Sequence, residues 1–182
     1  FENTMFHEVA HAMGVKNTIN GNGPARTALK EMYSSIEEGK ADIMGLYLVT
    51  KLYEMGELTE GTVMDNYVTF FAGTFRSVRF GAASAHGKSN MMRFNFFAEE
   101  GAFTRNADGT FTVDFDKTKA AMEKLVQKIV YIQGDGDYEA AKKWVETEGV
   151  VKQELQADID RINAANISVD VVFEKGKKVL GL

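Results

Sequence analysis

The chain has 182 residues, 45% of them hydrophobic, with a formal net charge of −5 and a pI near 5.3. That length and apolar content can bury a real core, read here as a single mainly α domain over 1–182, and the acidic balance excludes the electrostatic footprint of a nucleic-acid or anionic-membrane binder. There is no cysteine, so a metal site must draw on His, Asp and Glu, and no apolar run reaches transmembrane length.

The first predicted helix, Glu2 to Met13, carries His7-Glu8-Val9-Ala10-His11 and stops at Gly14. Residues four apart stack on one helix face, so His7 and His11 can address one metal ion. Glu8 lies beside that ion as a general base for the water it activates. The apolar neighbours Met5, Phe6, Val9, Ala10, Ala12 and Met13 predict a buried helix, and two buried histidines with a glutamate need a shared partner. Val15 to Ala25, rich in Asn and Gly and holding the single proline Pro24, reads as a loop.

A second helix starts near Thr27 and either continues or breaks briefly before Ile36, then runs on through Ile43, Met44, Tyr47, Leu48 and Leu52 at helical spacing. Gly39 and Gly45 inside it point to close approach of another segment or of the HExxH helix. Glu38 and Asp42 lie one turn apart on this apolar helix. Glu38 is the expected third zinc ligand, and Asp42 the acceptor for the free N–H of a ligand histidine.

Leu58 to Ala83 predicts a third helix opening at Thr59 or Thr62, its aromatic residues forming core, with Arg76 and Arg79 either neutralising carboxylates or lying at a solvated edge. His86 falls at a small-residue break before a helix running to about Glu100. Asp108-Gly109, between alternating Phe, Thr and Val, predicts a small exposed hairpin. Asp116 is the expected cap of a helix over Lys117 to Ile132, followed by a turn at Gly134–Asp137. Two amphipathic helices follow at Tyr138–Thr147 and Val151–Ala164, and Ile167 to Phe173 alternates like an edge strand.

With His7-Glu8-Val9-Ala10-His11 and Glu37-Glu38-Gly39-Lys40-Ala41-Asp42 in view, the chain resembles the dipeptidyl-peptidase-III-like zinc metallopeptidases. His86 followed by Arg93-Phe94 is similar to a later family segment, and the match spans about Phe1 to Gly101. The resemblance implies one Zn2+ on His7, His11 and Glu38, with Glu8 as base, Glu37 and Asp42 supporting the ligands, and His86 stabilising the transition state. The peptidases proper carry HExxGH, one residue longer than the motif here. The implied partners are a peptide substrate and a second lobe of the same chain, with neither nucleic acid nor membrane. The chain thus reads as the C-terminal part of a longer two-lobe enzyme, with the metal-site region at 1–101 and a helical remainder at 102–182. The expected activity is zinc-dependent peptide hydrolysis. The alternative is a non-peptidase zinc hydrolase, or an inactive metal-binding or interaction protein on the same scaffold. Compartment stays open between cytoplasm and periplasm for a chain that reads as soluble.

Overall fold

The chain order in the computed structural model, which describes residues 1–170 and 176–181, begins with α1 (Glu2–His11), α2 (Ala25–Leu29) and α3 (Tyr33–Glu54). It continues with α4 (Val63–Val78), α5 (Ala85–Glu99), a hairpin of β1 (Phe103–Arg105) and β2 (Phe111–Val113), α6 (Phe115–Asp135) and α7 (Tyr138–Glu148). These belong to one compact unit, Phe1–Val151. A second unit, Lys152–Leu182, holds α8 (Gln153–Ala164) and the short α9 (Lys177–Leu180). Within it Arg161 Nη2 lies 3.5 Å from Asp158 Oδ1, one turn earlier on α8. The fold is mainly α, as expected. No helix among the described residues is long and apolar enough to cross a membrane.

α3 is the axis of the first unit, with α1, α5 and α6 packed along it. The second predicted helix breaks at Lys30, a non-glycine residue at φ +50°, and a 3₁₀ turn at Lys30–Met32 leads into α3. Gly45 is where α1 meets α3. A Cβ there would stand 2.8 Å from the His7 nitrogen and 2.9 Å from the Phe6 carbonyl carbon, so only glycine lets the HExxH backbone come this close. Gly39 faces Ser89 Oγ and Ile129 Cδ1 instead. α1 ends at His11, two residues before the expected stop. It is also less buried than its apolar composition predicts. Ala10 is fully buried, but Met5, Val9 and Met13, four residues apart, form an exposed stripe.

α4 starts from a capping box in which Thr62 Oγ1 accepts from the Asp65 N–H and the Asp65 side chain accepts from the Thr62 N–H. Its aromatic residues are core. Phe71 meets Phe97 and Phe103 edge to face, at 5.1 and 5.0 Å between ring centroids. The hairpin forms with Phe103 opposite Val113, but it is not simply exposed. Phe103 is buried against Phe71, Phe94 and Phe111, which roots the hairpin on α4 and α5. The cap of α6 is Asp114, not Asp116, because its side chain accepts from the Lys117 N–H. The helix then runs through the expected turn as far as Asp135. Asp137 caps α7, its side chain accepting from the Ala140 N–H. Ile167–Asp170 run without strand structure, and the rest of the expected edge strand, 171–173, lies outside the described residues.

Candidate metal centre

α1 and α3 meet at Gly45, and the side chains just beyond that crossing converge. His7 Nε2 and His11 Nε2 are 3.1 Å apart. Glu38 Oε2 lies 3.5 Å from the first and 3.8 Å from the second. Four ligands around zinc at 2.0–2.2 Å stand about 3.3–3.6 Å from one another in a tetrahedron. The three donor atoms therefore already form nearly one face of that figure, and they are a group among the described residues that could hold a metal ion.

The outer nitrogens of the two histidines fix their tautomers. His7 Nδ1 lies 2.7 Å from Asp42 Oδ1, and His11 Nδ1 lies 3.2 Å from Glu37 Oε1. A carboxylate only accepts, so each Nδ1 carries a proton and donates it. In the neutral imidazoles that bind a metal, both Nε2 atoms are then left with lone pairs pointing at each other and at Glu38 Oε2. That oxygen is buried and has no hydrogen-bond partner. Three electron-rich atoms converging with no positive charge between them are unfavourable, and a cation resolves the arrangement. The donor set fits zinc.

Each supporting carboxylate is in turn held by a buried cation. Arg93, on α5 and only 4% exposed, places Nη1 2.5 Å from Asp42 Oδ2. Its Nε donates to Ser89 O at 3.2 Å and its Nη2 to Asn90 Oδ1. Lys40, 3% exposed, places Nζ 2.7 Å from Glu37 Oε1 and donates to Met13 O at 2.7 Å and His11 O at 3.4 Å. It thereby satisfies carbonyls left over at the end of α1, where a cation is also favoured by the helix dipole. Gln133 on α6 donates from Nε2 to Glu37 Oε2 at 2.8 Å. Burial alone would raise the Asp42 carboxyl, but Arg93 and His7 outweigh it and hold it below the usual carboxylate range. Burial likewise opposes Lys40, Gln133 and His11 at Glu37, and again the donors prevail. The hydrogen bond to Asp42 lifts His7 above the ordinary histidine value against the effect of burial.

The predicted site residues thus come together on α1 and α3, with two qualifications. Glu8 is exposed on α1 and lines a cavity of about 630 Å³ together with His7, Asp42 and His86. His86 is not in a loop but is the second residue of α5, whose first turn is capped by Ser84. It is 69% exposed, and its Nε2 stands 3.1 Å from Glu38 Oε2 without hydrogen-bond alignment. Arg93 and Lys40 neutralise the two supporting carboxylates, and Arg76 lies over the Phe80 ring. A charge set inside the apolar run Met91-Met92-Arg93-Phe94 was the available signal for Arg93. Gln133, between Ile132 and Gly134, gave a weaker one of the same kind.

No family model matches the chain. Among solved structures it is 37% identical to DPP III from Caldithrix abyssi, at a TM-score of 0.87, over 94% of this chain and 33% of that one. It is 36% identical to dipeptidyl-peptidase III from Corallococcus sp. strain EGB, also at 0.87, over 94% of this chain and 32% of that one. Among curated proteins it is 37% identical over 174 residues to Nudix hydrolase 3 from Arabidopsis thaliana, covering 94% of this chain and 22% of that protein. The chain therefore spans about a third of the solved relatives and under a quarter of the plant protein. In fold and sequence it resembles a dipeptidyl-peptidase-III-like fragment.

Proposed function

We propose that the chain carries the zinc site of a metal-dependent peptidase. The observation that supports this most directly is the convergence of His7 Nε2, His11 Nε2 and the unpartnered Glu38 Oε2. His7, His11 and Glu38 would hold the ion, with Asp42 and Glu37 fixing the histidine tautomers. Zinc in such a set supplies a Lewis acid that polarises a carbonyl and brings the pKa of water down toward roughly 7. Glu8, exposed into the cavity beside His7, accepts the proton from the attacking water and returns it to the leaving amine. His86, at the start of α5 and facing the same cavity, donates a hydrogen bond to the developing oxyanion.

Elemental analysis of the wild-type protein and of Glu8→Gln is expected to return one zinc per chain in both. Peptide hydrolysis by the intact protein should fall by about 10²–10⁴-fold in the variant, the usual contribution of a positioned acid–base group. Unchanged turnover would overturn the role of Glu8. The name of the plant relative supports a second reading, a hydrolase of non-peptide substrates on the same scaffold. Stoichiometric zinc with no cleavage across a varied peptide panel would favour it.

A further inference from the structure

The glycines of this chain have reasons that can be read from their surroundings, with two exceptions, both inside helices. Gly39, Gly45, Gly87 and Gly149 each face a neighbour that a Cβ would crowd, and the rest apart from Gly73 and Gly134 have positive φ. A Cβ on Gly134 would make only an ordinary contact with Ile19, and Gly73 faces open space. It lies in the interior of α4, where glycine is disfavoured, and a Cβ added there meets nothing within 4 Å. The space it faces is the cavity of about 630 Å³ that His7, Glu8 and His86 also line, a size suited to a small ligand. Next to Gly73 in the lining are Phe70, Thr74, Ser77 and Phe80, all from α4 or its end.

We infer that this cavity receives an uncharged aromatic or large aliphatic side chain of the peptide substrate, flanking the bond to be cut, and that Gly73 sets its depth. The inference rests on the peptidase reading above and adds the substrate class. The one arginine in the lining is already engaged. The Arg93 guanidinium pairs with Asp42, bonds Asn90 and Ser89, and faces the Phe70 ring at 5.1 Å. An acidic substrate side chain would therefore lose its hydration beside the Glu8 and Asp42 carboxylates without gaining that cation, whereas an aromatic one meets Phe70 and Phe80. Gly73 supplies room that any larger residue on the same helix face would occupy.

The test is Gly73→Leu, with two probes. N-acetylphenylalaninamide and N-acetylglycinamide are titrated into the wild type and the variant, following backbone amide resonances of α4. The intact protein is then assayed on peptides with Phe, Gly or Asp next to the scissile bond. The wild type is expected to bind the phenylalanine probe at least 10-fold more tightly than the glycine probe and to cleave the Phe peptide best. In Gly73→Leu that preference should collapse by at least 10-fold, mainly through KM, with zinc content kept and thermal stability no lower. Equal binding of both probes by the wild type, an unchanged preference in the variant, or a marked loss of stability in the variant would each overturn the inference. Cleavage of peptides without any probe preference rejects the pocket and leaves the peptidase reading standing. Probe preference without cleavage of any peptide rejects the peptidase reading and leaves the pocket.

Discussion

The two histidines of the HExxH helix are supported in parallel but unequal ways. His7 donates to Asp42 at 2.7 Å, and Asp42 is held by an arginine that arrives from α5, more than fifty residues later in the chain. His11 donates over a longer 3.2 Å to Glu37, whose cation, Lys40, is its neighbour one turn along α3 and whose further donor is the neutral Gln133. The first arm is a chain of short charge-assisted contacts, dependent on the packing of α5 against α3. The second is assembled largely from one helix and shares its load among several donors. A carboxylate with a single cation is more exposed to loss than one with three donors, so damage to the two arms should differ in size.

The largest effect is expected from Arg93→Met. It leaves Asp42 without its cation, and breaking a buried pair in this way costs about 3–5 kcal/mol, while loss of an outer support typically costs about 10–100-fold in metal affinity. Urea unfolding of the metal-free protein reads the first and zinc competition with a chelator reads the second. A loss below about 1 kcal/mol would show that α5 does not organise the His7 arm. Lys40→Met should cost less, about 1–3 kcal/mol, because Glu37 keeps Gln133 and His11, although Met13 O and His11 O lose a donor. If the two variants lose equal stability and equal zinc affinity, the asymmetry between the arms is wrong.

That asymmetry also marks what could be read from the sequence. His7, Glu8 and His11 are four residues or fewer apart on one helix, and Glu37, Glu38 and Asp42 share another, so helical periodicity alone groups each set. The hairpin was legible for the same reason, since its turn is local. Arg93 and Gln133 reach the site only because α5 and α6 pack on α3, and nothing in the spacing of a single helix reports that. Local preference misled in two places. Asp114, not Asp116, caps α6, both being acidic residues in front of the same apolar face. Met5, Val9 and Met13 look like core, yet they are exposed, and α1 meets α3 through the close backbone approach at Gly45 and the polar contacts of His7, His11 and Lys40 instead.

The smallest expected effect separates the arms by pH. Gln133→Leu removes one donor to Glu37 but also removes Gln133 Oε1, a buried atom with no partner, so stability near neutrality should change by no more than about 1 kcal/mol. The acid limb is different. Glu37 is held below its ordinary value, so its contribution is present above the ordinary carboxylate range and is lost as pH falls through the lowered folded-state value. With one donor gone, that folded-state value rises toward the ordinary one, and the loss begins at higher pH. His7, raised by Asp42, behaves oppositely: its contribution is present below the ordinary histidine value and is lost as pH rises through the raised one. Urea midpoints of the metal-free wild type and Gln133→Leu should therefore run parallel from about pH 6 to 8 and part below about pH 4.5, with the variant lower. Curves that part above pH 6 instead would mean that Gln133 acts on the His7 arm, and the two supports would then be a single network.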